Sequence, residues 1–149
     1  LDIQTQFVSG NDVYNAAGGF QSANGDYFDN QTVDQMNYWK KPGDITNIPQ
    51  PRFDSANGTR PSSRYIQSGS YLRIKNVILG YNVPKALLAK YKLQNLRLYA
   101  SALNLFTITG YNGYDPEINT TFAGSAQLGH DFYTPPQART ITFGLNVGF

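Results

Sequence analysis

Apolar and polar residues alternate along four stretches of the chain, separated by intervals of very different length. Residues 1–8 set Leu1, Ile3, Thr5 and Phe7 against Asp2, Gln4 and Gln6. A period of two is that of an extended strand with one apolar and one polar side. Residues 70–83 form a second such stretch, with a change of phase. Leu72 and Ile74 share one side, then Val77, Leu79, Tyr81 and Val83 take over. One extra residue in a strand turns the following side chains over, so the switch predicts a bulge near Lys75 and Asn76. In residues 95–109, Leu96, Leu98, Ala100 and Ala102 oppose Arg97, Tyr99 and Ser101. The last stretch, residues 139–149, is the most regular. Ile141, Phe143, Leu145, Val147 and Phe149 alternate with Thr140, Thr142, Gly144, Asn146 and Gly148.

The intervals carry turn chemistry. Residues 9–68 are rich in Gly, Asn, Asp, Ser and Pro and contain Asn24-Gly25, Pro42-Gly43 and Asn57-Gly58. A short helix is expected over residues 32–40, with Asn30 as its cap and Val33, Met36, Tyr38 and Trp39 on its apolar side. A loop of this length inside a compact domain is normally functional or mobile. Residues 84–94 make a short connection, with Pro84 in the first position of a helical turn. Residues 110–138 form a second long interval carrying Tyr111-Asn112-Gly113-Tyr114-Asp115-Pro116. No tandem repeat is present.

This pattern points to an all-β fold, a segment of a transmembrane antiparallel β-barrel. A strand crosses the hydrocarbon layer in about 9–11 tilted residues, with apolar side chains toward lipid and polar ones toward a lumen. Residues 139–149 satisfy both the length and the alternation. Connections that run long, short, long match the barrel habit of long external loops and short periplasmic turns. A last strand running inward places every interval on the side its length predicts. The competing reading is a soluble secreted β-sandwich, a carbohydrate-binding module, whose strands also alternate. Four strands cannot close a barrel, since the smallest have about eight. Open edges in lipid would leave backbone groups unpaired. The stretch is therefore expected to belong to a larger assembly or polypeptide.

Composition sharpens this picture. Only 15% of the 149 residues are charged and 14% are aromatic, with a mean hydropathy of −0.42; a soluble domain carries about 25% charge. A formal charge of +2 without a block of Lys and Arg argues against nucleic acid as a partner. No Cys is present, which removes disulfides, thiol catalysis and cysteine metal sites. No apolar run approaches a spanning helix. The first residues show no leader pattern, and the chain reads as though it begins in mid-structure. His130 is the only His and has no companions at ligand spacing. Asp115-Pro116-Glu117 and the pair Asp26 and Asp29 could offer oxygens to calcium, but neither has a binding-loop pattern, and turn formation is the better reading. No cofactor is expected. With no nucleophile-elbow motif, the residues do not describe an enzyme.

Specific residues add a family likeness. Ser68-Gly69-Ser70-Tyr71-Leu72-Arg73-Ile74-Lys75-Asn76-Val77-Ile78-Leu79-Gly80-Tyr81-Asn82-Val83-Pro84 resembles a late-strand signature of the SusC/RagA family of TonB-linked outer-membrane transporters. So does Leu98-Tyr99-Ala100-Ser101-Ala102-Leu103-Asn104-Leu105-Phe106-Thr107, followed by Gly113-Tyr114-Asp115-Pro116-Glu117. Upstream, Gly10-Asn11-Asp12-Val13-Tyr14-Asn15 and Asn37-Tyr38-Trp39-Lys40-Lys41-Pro42-Gly43-Asp44 are similar to the family's preceding strand end and loop. The run from Pro135 to Phe149 is similar to its last strand. The resemblance implies the last four strands of a 22-stranded barrel, residues 1–149 being its C-terminal part, with the plug domain and TonB box lying before Leu1. It implies a place in the outer membrane of Bacteroidota and a SusD-like surface lipoprotein as lid. It further implies import of oligosaccharides or peptides with energy delivered by TonB.

The candidate functional residues follow from this placement. Tyr38, Trp39, Tyr111 and Tyr114 fall in expected external loops, where flat rings with a polar tip suit stacking on a sugar or packing against a lid. Loop packing or an aromatic belt at the membrane surface would use the same residues. Ile141, Phe143, Leu145 and Val147 are expected to face lipid. The terminal Phe149 resembles the signal read by the barrel-assembly machinery. Residues 9–68 are the segment expected to reach the lid.

Overall fold

The computed structural model describes residues 1–22, 30–53, 60–117 and 129–149. The sequence features Asn24-Gly25, Asn57-Gly58, Asp26 and Asp29 lie outside these residues. In chain order the elements are β1 (Asp2–Val8), β2 (Asp12–Asn15), α1 (Ala16–Gln21), β3 (Ile66–Ser68), β4 (Tyr71–Asn82), α2 (Lys85–Leu88), β5 (Asn95–Thr109), β6 (His130–Asp131) and β7 (Thr140–Gly148). Short 3-10 turns occupy Val33–Asn37, Ser63–Tyr65 and Ala89–Tyr91. The chain divides into two units: Leu1–Ser9 with Ser70–Gly110 and Pro136–Phe149, and Gly10–Gly69 with Tyr111–Pro135.

The first unit is a four-stranded sheet in the order β1-β4-β5-β7, with every neighbouring pair antiparallel. Residues directly opposite one another in such a sheet project to the same side. The register therefore assembles rows: Tyr81, Leu98 and Leu145; Leu79, Ala100 and Phe143; Ile3, Val77, Ala102 and Ile141. Thr5, Ile74 and Phe106 continue that side, followed by Phe7, Leu72 and Ile108. The opposite side holds Asn82, Arg97 and Asn146; Gly80, Tyr99 and Gly144; Ile78, Ser101 and Thr142. The alternating apolar positions of the four stretches thus fall on one face, while Val8, Ile78 and Leu103 fall on the other.

The expected bulge is present, and it is wider than the sequence suggested. Gln4 and Thr5 are adjacent on β1, yet they oppose Asn76 and Ile74, with Lys75 inserted between. Those two in turn oppose Leu103 and Phe106, with Asn104 and Leu105 between. One extra residue flips the phase on β4, whereas two on β5 restore it. This is why only β4 shows the switch in its sequence. Asn104 takes a left-handed φ of 49°, which Asn accepts more readily than most residues. Its side-chain amide donates to the Ala138 carbonyl at 3.1 Å.

The second unit contains structure where a long loop was expected. β2 pairs antiparallel with β3 and parallel with β6, giving a small sheet in the order β3-β2-β6. Val13 is buried at its centre, with Ala16, Ala17, Ile48, Tyr65 and Tyr111 also withdrawn from solvent. The Asn15 side chain caps α1 by accepting from the Gly18 N–H at 2.7 Å. This satisfies one of the helix's free donors and compensates for the poor helix formers Gly18 and Gly19.

Three local expectations need correction. The helix expected over residues 32–40 is a 3-10 turn of five residues, Val33–Asn37, with Thr32 rather than Asn30 at its N-cap. It stops because the Trp39 N–H donates to the Ile48 carbonyl at 2.9 Å, drawing the chain into an extended path at Tyr38. Pro84 is the N-cap of α2 and not its first helical residue. His130 belongs to β6 and not to a loop: it pairs with Tyr14, and their rings stack with centroids 5.5 Å apart.

Candidate functional site

The strand unit presents two chemically distinct faces. On the apolar face Ile3, Phe7, Leu79, Phe106, Ile108, Ile141 and Leu145 are all exposed, and Phe143 reaches 80%. A row of large apolar side chains across four strands, with nothing covering it among the described residues, is far larger than the scattered apolar exposure of a soluble surface. Ile141, Phe143, Leu145 and Val147, expected to share a face, do so. Phe149 follows the end of β7 and is exposed.

The other face is small and polar. Gly144 lies under the Tyr99 ring and Gly148 under the Asn95 side chain, so a Cβ at either position would overlap its neighbour. At the far end of the same face Arg73 is only 2% exposed. Its Nε donates to Thr107 Oγ1 at 2.9 Å, and its guanidinium lies 5.5 Å from the Tyr71 ring centroid. The Gln6 amide donates to the Tyr71 hydroxyl at 2.9 Å. These contacts link β1, β4 and β5 side to side. The pattern of alternation did not single out Arg73; the only signal was a cation inside a strand otherwise free of charge up to Lys75.

Charge is divided unevenly between the units. The strand unit holds Arg73, Lys75, Lys85, Lys90, Lys92, Arg97 and Arg139 against Asp2 alone, while nine of the ten acidic residues belong to the other unit. The mild net charge of the whole chain conceals this asymmetry.

In the second unit the four aromatic candidates take different positions. Tyr111 is 6% exposed, and its hydroxyl donates to Asp131 Oδ2 at 2.6 Å. It is part of the interior of this unit, and the exposed tyrosine of the pair is Tyr114, at 64%. Burial pushes the Tyr111 hydroxyl well above the ordinary tyrosine range, and the accepting, negatively charged carboxylate of Asp131 pushes it further. Tyr14 is raised mainly by burial, with a smaller contribution from Tyr65. Asp131 Oδ1 is buried with no hydrogen-bond partner among the described residues. Asp115 is buried, and its Oδ1 accepts from the Glu117 N–H at 2.9 Å, which makes it a turn-forming acid.

Tyr38 and Trp39 are half-buried. Lys40 lies over the Tyr38 ring, 5.3 Å from its centroid. Trp39 lines a recess of about 400 Å³ together with Thr46, Asn47, Ile48, Pro49 and Arg64, within the size range of small-ligand sites. The following turn is tightly fixed. Asp44 Oδ2 accepts from the Lys40 and Lys41 N–H groups at 3.0 Å each. Gly43 takes a φ of 96° after Pro42, which suits the third position of a type II turn. Thr46 Oγ1 donates to the Asn37 carbonyl at 2.7 Å. Between these anchors the side chain of Ile45 is fully exposed. Sequence reading missed Ile45, because an isolated apolar residue in a polar loop carries no pattern.

A single-layer antiparallel sheet with one apolar and one polar face and strands of up to fifteen residues defines a wall segment of a β-barrel. No family model matches the chain. A TonB-dependent receptor of Formosa agariphila is 40% identical over 124 residues, 80% of this chain and 12% of that protein. A second receptor of the same organism is 31% identical across the whole chain, 16% of its own length. The TonB-dependent receptor SusC of Bacteroides thetaiotaomicron is 33% identical over 64% of the chain and 9% of its own length. Among solved structures the RagAB peptide transporter contains a chain whose fold matches 99% of this one with a TM-score of 0.77, at 23% identity and over 15% of its length. The RagAB peptide importer in its open-open state gives 0.74. The chain belongs to the family of TonB-dependent receptors, and its similarity extends to SusC. It spans less than a fifth of the length of the relatives it matches. Among the described residues, no helix is long and apolar enough to cross a membrane.

Proposed function

We propose that residues 1–149 form the C-terminal strands of an outer-membrane barrel of about 22 strands, whose remainder, including a plug, belongs to the same transporter. The reading rests on one observation above all: the register gathers the alternating apolar positions Ile3, Phe7, Leu72, Ile74, Val77, Leu79, Leu98, Ile141, Phe143 and Leu145 of β1, β4, β5 and β7 on one face. Lipid is the environment in which such a face costs nothing, and the polar face suits a lumen. A soluble sandwich would need a second sheet over Phe143 and its neighbours, which stay exposed. The likeness to TonB-dependent receptors supports transport energised through TonB, acting on the plug. Similarity to SusC and to the RagAB transporter supports a SusD-like lipoprotein lid and a cargo of oligosaccharides or peptides.

The work of this segment is mechanical and electrostatic. β4, β5 and β7 hold the wall. The segment around Trp39 and Ile45 and, separately, Tyr114 offer exposed or partly exposed apolar surface to lid or cargo, and Tyr111 is held in the interior by its bond to Asp131. Phe149, in this reading, is the recognition end for barrel assembly.

The chain contains no Cys, so single cysteines along β7 report the facing directly. In the assembled transporter, cysteines at 141, 143 and 145 are expected to react with a lipid-phase maleimide, and those at 140, 142 and 146 with a water-soluble one. Uniform labelling by the water-soluble reagent would reject the wall reading. Uptake of labelled oligosaccharides and oligopeptides by cells with and without TonB tests the transport reading, and uptake that persists without TonB would reject it.

A further inference from the structure

The short connection between β4 and β5 is built as a fixed, basic, amphipathic turn. α2 (Lys85–Leu88) runs into the 3-10 turn Ala89–Tyr91, and Lys92 reverses the chain with a left-handed φ of 58°. Leu88 is buried and anchors the turn, while the Leu93 N–H donates to its carbonyl. Backbone bonds tie both ends to the sheet, from Val83 N–H to the Leu96 carbonyl at 2.9 Å and from Gln94 N–H to the Gly148 carbonyl at 2.8 Å.

What the turn leaves outside is specific. Leu87 and Tyr91, four residues apart along a helical run, are 61% and 70% exposed. Lys85, Lys90 and Lys92 accompany them, and the sequence has no Asp or Glu anywhere between Asp54 and Asp115. None of the three lysines has an ion-pair partner among the described residues. An ordinary aqueous reversal has no need of two large apolar side chains or of three uncompensated cations. An interfacial element does: apolar side chains enter the boundary of the acyl layer, and cations meet lipid phosphates. The turn is also continuous with the apolar face, since Val83 at its start bonds to Leu96, which lies on the side of Leu98 one step beyond the row of Tyr81, Leu98 and Leu145.

We propose that this turn is a docking site for anionic phospholipid headgroups, with Leu87 and Tyr91 seated in the interfacial layer and Lys85, Lys90 and Lys92 on the phosphates. The proposal rests on the reading that the sheet's apolar face meets lipid. It adds a lipid preference at one rim of the wall.

The test uses the complete transporter in vesicles, with Tyr91→Trp as reporter and fluorescence corrected for the parent protein. Brominated phosphatidylglycerol is expected to quench this reporter several-fold more than brominated phosphatidylcholine. Changing Lys85, Lys90 and Lys92 together to Gln, or raising the salt, should abolish the difference. A Phe143→Trp reporter on the sheet serves as the reference. Equal quenching of the Tyr91→Trp reporter by both lipids would overturn the anionic preference while leaving the turn at the bilayer. No quenching there, with normal quenching at position 143, would overturn the proposal in favour of a protein or aqueous neighbour and leave the wall reading intact. Absence of quenching at both positions would overturn both.

Discussion

The ring of Tyr99 on β5 covers Gly144, its directly opposed neighbour on β7, and Gly80 flanks Tyr99 on the other side. A large side chain can lie flat on the polar face because its opposite partners have none. The alternation of Gly with Thr and Asn in residues 140–148 therefore has a packing reason beyond small size. Gly144→Ala is expected to displace the ring and to cost about 1 kcal/mol of barrel stability. In a Tyr99→Ala background the same change should be almost neutral, a coupling that a double-mutant cycle in denaturant reads directly. Equal costs in both backgrounds would show that the ring does not use Gly144 as its seat.

The bond from Tyr111 to Asp131 ties two stretches separated by nineteen intervening positions, and it makes the second unit sensitive to alkali. Tyr111 holds its proton more tightly folded than unfolded. Its contribution is therefore complete below the unfolded tyrosine value of about 10 and declines as the pH rises above it. Tyr111→Phe removes that dependence. It also leaves the buried Asp131 carboxylate without its donor, at a cost of about 1–3 kcal/mol at neutral pH. Hydrogen exchange of β2 and β6 against pH, in wild type and variant, checks both effects. A wild-type profile unchanged to strongly alkaline pH would contradict the linkage.

Ile45 contributes nothing to the interior, since its side chain is fully exposed on a turn held by Asp44 and Thr46. Ile45→Ser is expected to leave barrel yield and heat resistance unchanged while weakening co-purification of the proposed lipoprotein lid about tenfold, the scale of one apolar anchor lost from an interface. Full retention of the lid would remove Ile45 from the contact surface.

Sequence legibility followed the range of the forces involved. β5 was readable end to end, because a strand with two different environments must alternate. The Lys75 bulge was readable because a single insertion leaves a phase change. The compensating insertion at Asn104 and Leu105 was hidden, since two extra residues restore the phase. β2, β3 and β6 are two to four residues long and pair with partners distant in sequence, too short for any period to show. Tyr111 and Tyr114 look alike in sequence. Their different fates depend on Asp131, which only the folded chain brings to Tyr111. α1 was unreadable because its Gly-rich sequence is poor in helix propensity and is held by the Asn15 cap and the burial of Ala16 and Ala17.

The central claim, that one face of this sheet meets lipid and the other a lumen, is tested most directly by placing a single Arg at successive positions of β7 in the complete transporter. Phe143→Arg and Leu145→Arg should each cost about 2–4 kcal/mol of folding stability in bilayers, with a matching loss of inserted barrel, whereas Thr142→Arg should cost much less. Equal stability and equal insertion for all three would contradict the two-faced wall.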